Sequence, residues 1–517
     1  MKSIKQGIFT IAFSALAVTV HAQYAADAFR FSEITQTGTA RFQGVGGNHA
    51  ALGGDASTIS GNPAGLGFYN RSELSLTPSF NSINTSSTYL NRVTTDGKIN
   101  PNLAQASLII AGSPQNYNRK WRRTSIGISY SRQQSFQNLF SYAGRNNRSA
   151  YVDGIVQQAN ARNLSAEALD SDYDPNTQTA FSPEAAYYQL YLINPSTAVG
   201  PPYVRYNRES PTDQSGSFES TGAHSQWTFA YAGNYDDRIY VGASIGFNRI
   251  RYTYSNSLRD QYVNSTIFRS STNNEDLNVS GNGINATFGI IYKATPELQI
   301  GASITSPTFM SVKETFNQDV SADIIGIPQQ GPNGQPTFFV PDITQIGVQP
   351  NDFDYSITSP LRAEGGVTYF FGQKGFLTGT VEYVGYSGMR VSTNTLNAGD
   401  NSAFRTENRQ EIQDTYTSGI NARLGGEVRA GVFRARAGVA YIGDPYRIQL
   451  DGINRTKVLF SGGIGYRSER FFVDATAVYN TFTSAFTPYV LNNQQDYASV
   501  DIKNRSVNVL ITLGTFF

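Results

Sequence analysis

Apolar and polar residues alternate along most of the chain after Asn70. Ile284, Ala286, Phe288, Ile290 and Tyr292 take turns with Asn285, Thr287, Gly289 and Ile291, and Leu298, Ile300, Ala302 and Ile304 with Gln299, Gly301, Ser303 and Thr305. Leu361, Ala363, Gly365, Val367, Tyr369 and Phe371 repeat the pattern. A period of two puts one apolar and one polar face on a strand. The runs are about 10 to 17 residues long, above the usual soluble strand and suited to a tilted bilayer crossing. Strand starts are expected at Ser72, Leu103, Thr124, Ser225, Arg238, Leu277, Glu297, Tyr355, Phe376, Tyr416, Val432, Val458, Phe471 and Arg505, about fourteen strands in all, an even number as closed bacterial barrels require. Tight connections at Asn234-Tyr235-Asp236, Ala294-Thr295-Pro296, Gly372-Gln373-Lys374, Gly431 and Ser468-Glu469 alternate with long polar ones, the longest from Asn138 to His224. Short turns at one end and long loops at the other predict an all-β fold, a transmembrane antiparallel β-barrel. Val507, Val509, Ile511, Leu513 and Phe517 share a face of the last strand. Ending on an aromatic residue, it resembles the signal read by barrel-assembly machinery. Outer-membrane lipids are the expected surroundings.

The alternation fails before Asn70. Lys2 and Lys5 precede the apolar stretch Gly7 to Val20, and Val20-His21-Ala22 has small residues where a leader is cleaved. The expected organisation is a signal peptide at 1–22, a periplasmic or lumenal hatch at 23–70 and a barrel at 71–517 with its largest loop at about 137–224. No Cys follows the cleavage point to carry a lipid anchor. Gly44, Gly46, Gly47, Gly53, Gly54, Gly61, Gly65 and Gly67 mark the hatch as tightly turned rather than stranded.

Composition narrows the chemistry. The 517 residues hold 40 Lys+Arg against 39 Asp+Glu, and Lys2 and Lys5 leave with the leader, so no basic excess points to nucleic acid. There is no Cys and only three His, which argues against disulfide scaffolds, thiol nucleophiles and Cys/His metal sites. With 32 Phe, 31 Tyr and 48 Gly but 15% charge, the chain reads as a large β structure. Gly242-Ala243-Ser244-Ile245-Gly246 matches a hydrolase pattern, but it lies in mid-strand rather than at a strand-to-helix elbow. No catalytic residue, cofactor or metal is expected.

Three segments, Gly38-Thr39-Ala40-Arg41, Gly54-Asp55-Ala56-Ser57 and Asn62-Pro63-Ala64-Gly65-Leu66, together with Tyr292-Lys293-Ala294-Thr295-Pro296-Glu297-Leu298 and Gly301-Ala302-Ser303, resemble the long-chain fatty acid transporter family (FadL/TodX) of Gram-negative outer membranes. The resemblance covers the mature chain in layout, with sharp motifs in the hatch and one hairpin. It implies a hatch that blocks a fourteen-stranded barrel and a cargo of long-chain fatty acids or aromatic hydrocarbons. The long loop departs from the family, and no ligand-contacting residue is carried over.

The resulting expectation is passive, hatch-gated transport of a hydrophobic or amphiphilic small molecule across the cell outer membrane. Hatch residues Asn62, Pro63, Ala64 and Gly65 are candidates for gating, since Pro63 fixes φ and Asn62 can bond the backbone. Ser182-Pro183-Glu184 reads as a helix start leading into Tyr187, Tyr188, Leu190 and Tyr191, a candidate capture surface or else loop packing. Arg362, Glu364, Glu382, Arg423, Glu427, Arg429, Arg434, Arg436 and Asp474 must face the lumen, because a charge facing lipid near the midplane costs about 2–4 kcal/mol. They form either ion pairs bracing hatch to wall or, through Arg423, Arg429, Arg434 and Arg436, a site for a ligand carboxylate. The alternatives are a binding or assembly barrel serving secretion or surface attachment, and a haem-type receptor using His49 and His224.

Overall fold

The computed structural model describes the chain apart from residues 1–17, 36–37, 113–119, 198, 207–210, 332–334 and 449–451. Most of the expected leader lies outside the described residues. Fourteen antiparallel strands close into a barrel. They are β1 (Glu73–Tyr89), β2 (Arg92–Ala111), β3 (Trp121–Ser135, continued by Asn138–Asn146), β4 (Thr212–Tyr235) and β5 (Ile239–Tyr262). Next come β6 (Phe268–Lys293), β7 (Leu298–Thr305, continued by Phe309–Ile324), β8 (Gln345–Thr358, continued by Arg362–Phe370) and β9 (Gly375–Val384). The circuit ends with β10 (Gly419–Ala430), β11 (Phe433–Ile442), β12 (Lys457–Arg467), β13 (Phe471–Phe486) and β14 (Val500–Phe516). β14 returns to β1 in continuous register from Glu73↔Phe516 to Thr88↔Asp501, which leaves the barrel without an edge.

The expected short turns all fall at one end, beside Ser72 and Phe517. The loop end differs from expectation. β1 and β2 meet there through a two-residue turn in which Leu90 and Asn91 take φ of 46° and 65°. The strand expected from Leu103 begins at Arg92, and β3 and β4 run on past the expected edges of the long loop, so its excursion spans 147–211.

The reason is a reversal of phase within the strands. In the lower part of β6, Ile284, Phe288 and Ile290 face outward, about half exposed, while Asn285 and Thr287 are buried inside. Above Gly283 the same inward face carries Leu277 and Val279, and the outward face carries Asp276, Asn278 and Ser280. β5 does likewise, with Ile245 and Phe247 outward below and Ile250 and Tyr252 inward above. The lower half is dressed for hydrocarbon outside and polar groups inside; the upper half is a water-facing wall around an apolar interior. Outside the membrane a strand has no apolar outer face, so polar stretches that read as loop are strand. Among the described residues no helix is long and apolar enough to cross a membrane; strands make the crossing.

Aromatic side chains mark the lower rim, with Trp121 edge-on to Tyr235 at 5.4 Å and Tyr369 beside Phe371 at 5.2 Å. Above the short strands β9–β12 stands a helix over Ala398–Thr415, which completes the upper wall through Phe404 and Ile412.

Candidate functional site

The lower lumen is filled by residues 38–69. The three hatch motifs are three capped helical turns. Thr39 Oγ1 accepts from the Phe42 N–H and caps α2, Ala40–Gly44. Asp55 accepts from the Ser57 N–H and caps a 3-10 turn over Ala56–Ile59. Asn62 accepts from the Ala64 N–H at 3.1 Å and caps a second over Pro63–Phe68, with Pro63 in its first turn. The caps are joined, for Thr39 donates to Asp55 at 2.9 Å. Asn62 also ties hatch to wall, its Nδ2 donating to Ala50 O at 2.6 Å and lying 3.3 Å from Ala302 O.

The wall makes room for this backbone with glycine. A Cβ at Gly301 would lie 1.9 Å from Ala50 O, and one at Gly289 1.9 Å from Asn62 Oδ1. A Cβ at Gly242, from the hydrolase-like pattern, would lie 2.5 Å from the Pro63 carbonyl carbon. That pattern is the notch into which the Asn-Pro-Ala turn seats.

Two charge clusters fasten the hatch. Glu427 of β10 accepts from Arg436 at 2.7 Å and Arg429 at 2.7 Å, and lies 3.4 Å from Arg41 of α2. Arg436 continues to Asp474 at 2.6 Å, and Arg41 donates to Gly54 O. Higher up, His49 Nε2 stands 3.1 Å from Glu364, which also accepts from Ser303 at 2.7 Å. Glu382 accepts from Arg423 at 2.7 Å and from Arg362 at 3.3 Å. Burial opposes a charge on His49, but the Glu364 carboxylate and its hydrogen bond outweigh that cost and hold its pKa above the ordinary histidine value. Of the four arginines expected for a carboxylate, Arg423, Arg429 and Arg436 are thus engaged by wall carboxylates, and Arg434 donates to the carbonyls of Gly431 and Phe433.

Above the hatch lie two chambers. The lower one is a small void of about 30 Å³, lined by hatch residues His49, Ser60 and Gly61, by Gln133, Gln226, Asn285, Thr287, Ser303 and Thr305, and by Arg362, Glu364 and Glu382. The upper one is apolar and filled by α1, Val18–Ser32. Tyr24 packs on Phe353, Tyr355 and Phe404, Phe29 stacks on Tyr416, and Phe31 meets Phe136. Asp27, fully buried, pairs with Arg30 and accepts from the Tyr355 hydroxyl at 3.2 Å. This helix runs across the expected cleavage point after Ala22.

The loop excursion holds helices over Tyr151–Ala161, Ala166–Ser171 and Pro183–Gln189, the last capped by Ser182. Tyr187 and Leu190 are buried in the loop core, while Tyr188 and Tyr191 are partly exposed, Tyr191 beside Phe339. His224 is buried on β4 against Asn248 Oδ1 at 2.9 Å. Sequence reasoning missed α1 as an occupant of the barrel and missed Arg41 as a brace. The signal for Arg41 was available: it is the only arginine or lysine between Glu33 and Asn70, opposite inward-facing acids.

Two solved structures share this architecture. The CymD monoaromatic hydrocarbon channel aligns over 94% of this chain and 98% of its own, with a TM-score of 0.50 and 13% identity. A Pseudomonas aeruginosa FadL homologue aligns over 94% and 99%, with a TM-score of 0.51 and 13% identity. At that identity the likeness is one of fold. No family model and no curated protein matches the sequence.

Proposed function

We propose that the chain is an outer-membrane channel for hydrophobic or amphiphilic small molecules, passive and gated by its hatch, and a relative of the long-chain fatty acid transporters it resembles. The observation that carries this reading is the stacking of an apolar chamber on a barrel whose lower lumen is occluded by residues 38–69. Such a chamber is a poor conduit for ions and a good receptacle for a greasy molecule. The loop end then faces outside the cell and the short turns face the periplasm. The ligand enters at the loops, takes the place of α1 against Tyr252, Leu277 and Val279, and leaves as the hatch shifts from the wall. The last strand, ending at Phe517, serves assembly. The fold of CymD and of the FadL homologue supports this assignment, as does the outward apolar belt.

Stapling the hatch tests it. A Cβ at Gly366 would lie 2.9 Å from Ala50 Cβ, so Ala50→Cys with Gly366→Cys needs a shift of roughly half an ångström to reach disulfide geometry. The chain contains no other thiol. Oxidation should stop uptake of a labelled long-chain amphiphile by at least tenfold, and reduction should restore it. Uptake indifferent to oxidation of a demonstrably formed disulfide would end the gating reading.

A further inference from the structure

On the outer surface of β3–β7 the phase reversal falls on a sharp line, and cations stand along it. Tyr130, Trp227, Phe247, Ile284 and Phe309 lie opposite one another in register and form one outward row across the five strands. The last four are roughly half exposed, and Trp227 meets Tyr130 edge-on at 5.6 Å. Here the apolar belt ends. Two residues nearer the loops, about 7 Å along the strands, the next outward row reads Arg132, Ser225, Arg249, Asn282 and Ser311. The row after it holds Ala223, Arg251, Ser280 and Lys313 and closes on Asp354 of β8. Arg249 and Arg251 are exposed, and no carboxylate pairs with either among the described residues. Lys313 lies 3.4 Å from Asp354, and Arg132 donates to the Gly222 carbonyl at 3.3 Å. Four cations thus face one acid, with the hydroxyls of Ser225, Ser280 and Ser311 among them. A guanidinium forks onto phosphate oxygens, and its aliphatic stem can lie along the apolar row while the charge stays in water. An anion with hydrocarbon attached satisfies both rows at once, and a free anion satisfies only the upper ones.

We propose that this face of the barrel binds a phosphate-bearing lipid of the leaflet on the loop side. Its acyl chains lie against Trp227, Phe247, Ile284 and Phe309, and its phosphate sits between Arg249 and Arg251, flanked by Arg132 and Lys313. The assignment depends on the barrel's place in a membrane and is independent of what passes through its interior.

The test uses the full chain in a neutral maltoside detergent, with bound lipid counted by native mass spectrometry. The probes are dimyristoyl phosphatidic acid, dimyristoyl phosphatidylcholine with the same chains, and inorganic phosphate as a competitor. Phosphatidic acid should bind at least tenfold more tightly than phosphatidylcholine. Arg249→Gln with Arg251→Gln should bring the two within about twofold, and either change alone should lower the ratio at least threefold where the double variant fails to assemble. Arg259→Gln with Arg269→Gln removes the same charge from exposed positions nearer the loops on β5 and β6 and should leave the preference intact. Equal binding of the two lipids would overturn the assignment, as would a tenfold preference that persists in the folded Arg249/Arg251 variant or falls equally in the Arg259/Arg269 one. Displacement of phosphatidic acid by an equal concentration of inorganic phosphate would also overturn it, showing a free-anion site instead.

Discussion

Glu427 shows how much a single lumenal carboxylate organises. It is buried among Arg41, Arg429 and Arg436, and only Arg41 belongs to the hatch. Removing one partner of a buried charge cluster is costly, on the order of 3–5 kcal/mol, because the remaining charges lose their compensation. Glu427→Gln should therefore loosen the hatch while leaving a closed barrel. Limited proteolysis should cut between Glu33 and Asn70 in the variant, with the heat-modifiable mobility of the barrel on gels unchanged. His49 makes the same connection in a form that responds to pH. Its pKa lies above the ordinary value in the folded chain, with Glu364 and Glu382 favouring the charge and Arg423 opposing it. Its contribution to holding the hatch is complete below the unfolded value near 6.5 and is lost as pH rises through the higher folded value. Amide exchange in the segment 45–52 should accelerate as pH rises above about 6.5, beyond the intrinsic base dependence. In His49→Gln that excess should vanish.

At the scale of the strand, the phase reversal decides what a substitution costs. Phe288 and Ser280 lie on the same outward face of β6, eight residues apart in sequence, yet one meets hydrocarbon and the other water. Phe288→Lys should destabilise the barrel by about 2–4 kcal/mol, whereas Ser280→Lys should stay within about 0.5 kcal/mol. Denaturant unfolding from lipid bilayers measures both. Equal costs would mean that the membrane does not end between the two positions. The reversal also explains what was legible beforehand. Ile284 to Tyr292 announces a strand because its outward residues are greasy and its inward ones polar. Thr272 to Ser280 is equally stranded, but its outer face of Thr272, Asn274, Asp276, Asn278 and Ser280 is polar and its composition is that of a loop. The lower half of the barrel could be read from the alternation, and the upper half could not. The three hatch caps were legible because capping demands particular side chains at particular spacings. The wall partners of those caps, Ala302 O and the notch at Gly242, come from strands far along the chain and leave no local trace.

Across the whole molecule, two interiors of opposite character are stacked on one axis. Each would be awkward alone: a polar lumen within hydrocarbon needs filling, and an apolar lumen above the membrane needs covering. Capped turns and ion pairs fill the first, and α1 with the helix over Ala398–Thr415 covers the second. The clustering of lumenal charge on β8–β11 and β13 follows from this arrangement, since that is where Arg41 and His49 meet the wall. The candidate arginines were correctly placed facing inward from the cost of exposing them to lipid. That Arg436 reaches the hatch through Glu427 and Arg41 depends on which hatch residue arrives opposite, which only the fold decides.

The seating of α1 has a kinetic corollary. Its partners Tyr355, Phe404 and Tyr416 lie more than three hundred residues further along the sequence, so the segment synthesised early must wait for almost the entire polypeptide before it finds its berth. Contacts of such separation form slowly. Until they do, the nascent cylinder is an open cup with a sticky bowl facing the aqueous side, and maturation ends only when the molecule's own beginning stoppers it.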